Sequence, residues 1–104
     1  MEEKIKIEVD KDIFYLVDEY IESRKADFKT IKAAIKKDDF EKVKQLSHKM
    51  RGSAGYFGMM DLTNMAKEME ENALNQDKIF LQDLLNKMVL YLENVQPVEK
   101  AVSV

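Results

Sequence analysis

The sequence predicts an all-α fold, an antiparallel up-down four-helix bundle with a short N-terminal helix or arm, and three observations point there. Lys, Glu, Leu, Met and Ala dominate the chain, and these side chains lose little freedom on entering a helix. Pro97 is the only proline, and the three glycines, Gly52, Gly55 and Gly58, fall close together, so most of the chain carries no helix breaker. Apolar residues recur at three- and four-residue spacing along most of the length, the pattern of helices that bury one face. A chain of 104 residues with 45% hydrophobic content is long enough for one core and too short for two. Residues 1–104 are therefore expected to form one domain, with a helical core over about 10–96.

The elements follow in order. Lys4-Ile5-Lys6-Ile7-Glu8-Val9 alternates like a short strand, and with no second strand in view it is expected to be an extended arm. A long helical region runs from about Asp12 to Lys37, with Ile13, Leu16, Val17, Tyr20, Ile21, Phe28, Ile31 and Ile35 at helical spacing and a break expected near Ser23. Asp38 and Asp39 offer N-caps for the next helix, Asp38 standing at capping-box spacing from Glu41. That helix is expected over about Phe40–Phe57, closed by Gly58 at C′. A third, opened by Asp61, carries Leu62, Met65, Ala66, Met69 and Ala73 and fades at Asn75-Gln76. A fourth, capped by Asp77, turns Phe80, Leu81, Leu84, Leu85, Met88, Leu92 and Val95 inward and stops before Pro97. Short connections make neighbouring helices antiparallel. Residues 97–104 show no periodicity and are expected to be a mobile tail.

Composition narrows the function. With no cysteine there is neither a disulfide nor a thiolate metal site. No apolar run approaches the ~18 residues of a membrane span, and Met1-Glu2-Glu3-Lys4 lacks the apolar core of a signal peptide. The expectation is a cytoplasmic protein with no membrane partner. The formal net charge of −3 argues against nucleic acid, whose binders carry a basic excess. The charges are nonetheless segregated: Lys42, Lys44, Lys49 and Arg51 surround His48, while Glu68, Glu70 and Glu71 crowd the following helix and read as a solvated face. The methionines and aromatics read as core, Tyr56 excepted.

His48 is the only histidine, in the run His48-Lys49-Met50-Arg51-Gly52-Ser53-Ala54-Gly55-Tyr56-Phe57-Gly58. At ~100° per residue Phe40, Val43, Leu46, Met50, Ala54 and Phe57 gather into one apolar stripe, and His48 points almost directly away from it. Within about 60° of His48 lie Glu41, Lys44, Gln45, Arg51, Gly52 and Gly55. A glycine inside a helix costs roughly 1 kcal/mol relative to alanine. Gly52 and Gly55, one and two turns past the imidazole on its own face, are accounted for by the close approach of another molecule.

This run resembles the signature of histidine-containing phosphotransfer (HPt) domains. There the phosphorylated His is followed at +3 by Lys or Arg, at +4 by Gly, at +5 by a small residue and often at +7 and +10 by Gly. Here those positions hold Arg51, Gly52, Ser53, Gly55 and Gly58. Asp39-Phe40-Glu41, Leu46 and Leu62 are similar to the family pattern too, and the resemblance covers roughly residues 10–95. Arg51 stands where Lys is commoner, which keeps the charge and alters its geometry, and Ser47 stands where the family usually has Ala.

The residues allow little other chemistry. Metal sites generally need three or four ligands, and one His without cysteine supplies too few. Ser53 at i+5 points toward the buried side of the helix, out of reach for a triad with His48. No glycine loop is present to hold ATP. What remains is an exposed imidazole that accepts and returns a group, with a reference pKa of ~6.5 that leaves neutral nucleophile at cellular pH. Lys44, Lys49 and Arg51 would attract a phosphoryl group, Gln45 has the spacing to orient the ring or contact phosphate, and Tyr56 would form part of an apolar docking rim.

The resemblance implies a role for each. His48 would attack the aspartyl-phosphate of a receiver domain and pass the group to another receiver's aspartate. Arg51 would stabilise phosphate, Gly52 would leave room for the receiver's pocket, and Gly55 would relieve the docking surface. The domain would be a phosphocarrier without its own cofactor, the receiver supplying Mg²⁺, and a monomer. Two alternatives stay open: the phosphoacceptor bundle of a sensor histidine kinase, which typically has an acidic residue after the His where this chain has Lys49, and a helical interaction adaptor in which His48 is incidental.

Overall fold

Four amphipathic stretches become four helices, and the two ends of the chain pair with each other. The computed structural model describes residues 4–100. In order they form strand β1 (Ile5–Val9), a 3-10 turn (Phe14–Leu16), helices α1 (Val17–Lys36), α2 (Phe40–Ala54), α3 (Met60–Asn72) and α4 (Lys78–Asn94), and strand β2 (Val95–Glu99). Single 3-10 turns, Gly55–Phe57 and Ala73–Asn75, prolong α2 and α3. Contacts run from α1 to α2, α2 to α3, α3 to α4 and α4 back to α1. The four apolar stripes thus meet in one buried cluster, with Ile31, Met50, Leu62, Met69, Leu81 and Met88 among its fully buried members. Two readings of core residues need correcting: Met60 is 57% exposed and Tyr15 79% exposed, the latter a second aromatic outside the core beside Tyr56.

The caps explain where the helices start. Asp39 is the N-cap of α2 and accepts from the Lys42 amide at 3.2 Å; Asp77 caps α4, accepting from the Phe80 amide at 3.1 Å. Asp38 is not a cap. It takes the left-handed conformation (φ 60°) that ends α1, and its carboxylate pairs with Lys78 Nζ at 2.9 Å. Asp61 does not open α3 either, since Met59 is the N-cap. Asp61 lies in the first turn, where a carboxylate complements the helix dipole. Nor is there a break at Ser23: α1 runs unbroken from Val17, and the short leading element is the 3-10 turn before it.

The all-α expectation is corrected at the ends. Residues 5–9 are no free arm, and 97–100 are no tail, because β1 and β2 form a parallel pair from Ile5↔Val95 to Val9↔Glu99. The Lys100 amide extends it by donating to the Val9 carbonyl at 2.8 Å. Ile7 and Val9 turn into the core, which fixes the register through the alternation of the strand. Residues 101–104 of the expected tail lie outside the described residues. Gly58 closes the turn after α2 at φ 74°, and a Cβ there would collide with the Glu8 carbonyl oxygen. Only glycine provides both the left-handed backbone and the clearance.

Candidate functional site

The site is built on α2 and completed by α3. Along α2 the buried residues are Phe40, Val43, Ser47, Met50 and Ala54, a stripe that anchors the helix to the bundle and sends His48 outward. The His48 side chain is 70% exposed. Ser47, buried within that stripe, is accommodated because its hydroxyl donates to the Val43 carbonyl at 2.6 Å. Ser53 turns inward to meet the Tyr20 hydroxyl at 2.7 Å, so it belongs to the α1–α2 contact and not to the imidazole.

Across the α2–α3 contact, Glu70 joins two of the residues singled out from the sequence. His48 Nδ1 lies 2.8 Å from Glu70 Oε2, and Arg51 Nη1 donates to Glu70 Oε1 at 3.0 Å. Glu70 is the least exposed of the three, 15% against 70% for His48 and 41% for Arg51. The Arg51 hydrogen bond holds the Glu70 carboxyl below its usual range, partial burial opposing this and the bond and charge of His48 reinforcing it. An ionised carboxylate only accepts hydrogen bonds, so Nδ1 is the donor and, in the neutral ring, Nε2 carries the lone pair.

Sequence reasoning placed Glu70 with Glu68 and Glu71 on a solvated face, and here the structure corrects it. Glu68 and Glu71 are exposed as expected. Glu70 stands four residues after Ala66 and three before Ala73, both fully buried, so it lies at the edge of the helix's inward stripe. A carboxylate at that spacing needs a partner, and this was the available signal. The hydrogen-bond partner of Nδ1 is Glu70, and Gln45 makes no hydrogen bond to the ring among the described residues.

Lys44 is half-buried, while Gln45, Lys49 and Tyr56 are exposed. None of the four forms a hydrogen bond or ion pair with His48 among the described residues. With Arg51, Lys44 and Lys49 give this side of α2 a cationic character. The two glycines differ. A Cβ at Gly52 would meet nothing within 4 Å, whereas at Gly55 it would touch Thr63 Oγ1 at 3.5 Å and Met60 Sδ at 3.8 Å, an ordinary contact. Gly52 therefore has no packing reason inside the domain, and Gly55 lies against the first turn of α3.

Among the described residues no three His, Cys, Asp or Glu side chains are grouped as metal ligands, and no helix is long and apolar enough to cross a membrane. The family model of the Hpt domain matches residues 16–96. No curated protein and no solved structure matches the chain.

Proposed function

The chain belongs to the Hpt domain family, the histidine phosphotransfer modules of phosphorelays, and we propose that His48 is its phosphoacceptor, loaded from one receiver-domain aspartate and unloaded to another. The observation that carries this reading is the His48–Glu70–Arg51 triangle, which leaves Nε2 as the nucleophile. In the proposed step Nε2 attacks the phosphorus of the aspartyl-phosphate. The N–P bond forms as the P–O bond to the aspartate breaks, and the carboxylate leaves with its electron pair. The positive charge that develops on the ring is shared with Glu70 through the Nδ1–H bond. Arg51, tethered by Glu70 and partly exposed, supplies charge to the transferring phosphoryl group. Return to a second receiver reverses these bonds.

Lys44 and Lys49 would steer the anionic receiver pocket, Gln45, Gly52, Gly55 and Tyr56 would line the contact, and the receiver would bring Mg²⁺. A phosphocarrier role without an ATP site, a cytoplasmic setting, a single monomeric domain and an antiparallel up-down course of the helices belong to the same proposal. The course is supported by Lys78 at the start of α4, which meets Asp38 and the Lys36 carbonyl at the end of α1.

The test is transfer itself: incubate the chain with phosphorylated receiver domains and locate the acid-labile phosphate by mass spectrometry. Phosphate on His48, absent in His48→Gln with the fold intact, is the expected result. No transfer from any of a broad panel of receivers, with a folded domain, would leave the interaction-adaptor reading in its place.

A further inference from the structure

The side of the bundle farthest from the His48 triangle carries its own surface feature. Helices contact in the ring order α1–α2–α3–α4, so the α1–α4 seam lies opposite the α2–α3 seam that holds His48 and Glu70. Along it runs a groove of about 350 Å³ with Phe28, Leu85 and Val89 in its lining and Lys25, Lys29 and Lys32 on its α1 side. A second hollow of about 350 Å³, lined by Ile35, Lys36, Lys78 and Ile79, shares Gln82 with the first and continues it.

Lys25, Lys29, Lys32 and Lys36 recur at i, i+4, i+7 and i+11, a single row along one helix face. At ~1.5 Å per residue that row runs about 16 Å, room for about three turns of a docked helix. Lys29, Lys32 and Lys36 make no ion pair among the described residues; Lys25 has Glu22 at 3.7 Å, and Lys78 has Asp38. The acidic groups in the lining are Asp83 and Glu93. In a chain whose net charge is −3, this is a concentrated cationic row beside an apolar floor. Ile79, 78% exposed, stands at its far end.

We propose that the α1–α4 groove docks an acidic amphipathic helix of a partner protein, its carboxylates facing the lysine row and its apolar side chains entering between α1 and α4. The geometry selects a helix among anionic partners. A flat lipid surface cannot reach the floor of a concave groove, and a nucleic acid would want cations along both walls, whereas the α4 wall has Lys78 at one end only and otherwise offers the amides of Gln82 and Asn86 with the carboxylates of Asp83 and Glu93. The groove is remote from His48, so its occupant can remain bound while a receiver exchanges phosphate.

The probe is a dye-labelled, end-blocked helical peptide with Glu at i, i+4, i+7 and i+11 and Leu between, titrated into the whole chain by fluorescence anisotropy. A second peptide carries Lys in place of Glu. The acidic peptide is expected to bind, more weakly as salt rises, and to shift amide resonances on α1 and α4 while leaving Arg51 and Glu70 in place. Reversing the exposed Lys29→Glu and Lys32→Glu together is expected to weaken the acidic peptide by roughly tenfold and to create binding for the lysine peptide. The proposal is overturned if the acidic peptide does not bind, if the reversed protein binds it equally well, or if the shifts map elsewhere. Tighter binding to phosphatidylglycerol vesicles or to duplex DNA than to the peptide would overturn it too.

Discussion

Replacing Gly52 by glutamine separates the needs of the fold from the needs of a partner. A side chain at this position meets no atom of the domain within 4 Å, so the change brings helix propensity without a clash. Glycine stands about 0.8–1 kcal/mol below alanine in a helix interior and glutamine stands near the top of the scale, which leaves a gain of about 0.5 kcal/mol. For a domain of this size that raises Tm by about 2–4 °C, measurable by circular dichroism. The same side chain occupies the space one turn from His48. Transfer from a phosphorylated receiver should fall more than about tenfold, equivalent to at least about 1.4 kcal/mol of lost transition-state stabilisation. Phosphoramidate, a small donor, needs little clearance and should load His48 at nearly the original rate. A destabilised domain whose two rates fall in parallel would refute the reasoning, because Gly52 would then serve the helix and not the approach of a receiver.

Glu70→Gln removes the charge that fixes the imidazole and tethers Arg51; loading of His48 should slow by about 10- to 100-fold, with nitrogen NMR showing proton density moving from Nδ1 to Nε2. Unchanged tautomer and rate would exclude Glu70 from the site. Arg51→Ala should slow receiver-driven transfer while melting near the parent temperature, whereas Arg51→Lys should keep most of the rate; equal rates for parent and Arg51→Ala would count against a phosphate contact. Gly58→Ala combines a left-handed backbone with a collision against the Glu8 carbonyl, and should cost more than about 2 kcal/mol in urea denaturation. Burial, aided by Asp61, pushes the Tyr91 phenol up to about 12. Since the unfolded phenol titrates near ~10, the fold favours the neutral form, so this contribution is full below pH ~10 and lost as pH rises toward about 12. Tyr91→Phe should flatten that alkaline loss in pH-dependent melts.

The helices were legible because each buries one stripe, and a stripe is written in local spacing. Asp77 and Gly58 were legible for a similar reason, since caps and left-handed turns involve neighbours in sequence. The strand pair was not. β1 showed its alternation, but its partner Val95–Glu99 lies at the other end of the chain and contains a proline, so no local pattern marks it as a strand. Asp38 and Asp39 are equally good caps by type, and the choice between them fell to the backbone that ends α1 and to Lys78 from α4. At the site, the exposed histidine, its cationic neighbours and the bare Gly52 could all be read along one helix. Glu70 could not, because its role depends on which acid of α3 faces α2.

The strand pair also bears on how the molecule avoids sticking to itself. Two strands leave two outer edges, each a template for recruiting another chain. The Lys100 amide points to β1, so by alternation the amides of residues 98 and 96 do too, and position 97 faces the open side. The residue there is Pro97, which has no N–H to offer. On the other strand Glu8 faces outward by the same alternation, and its carbonyl is covered by Gly58. One edge is missing a donor and the other has an acceptor shielded, so a small sheet that ties the ends of the chain together is poorly suited to grow by edge-to-edge addition.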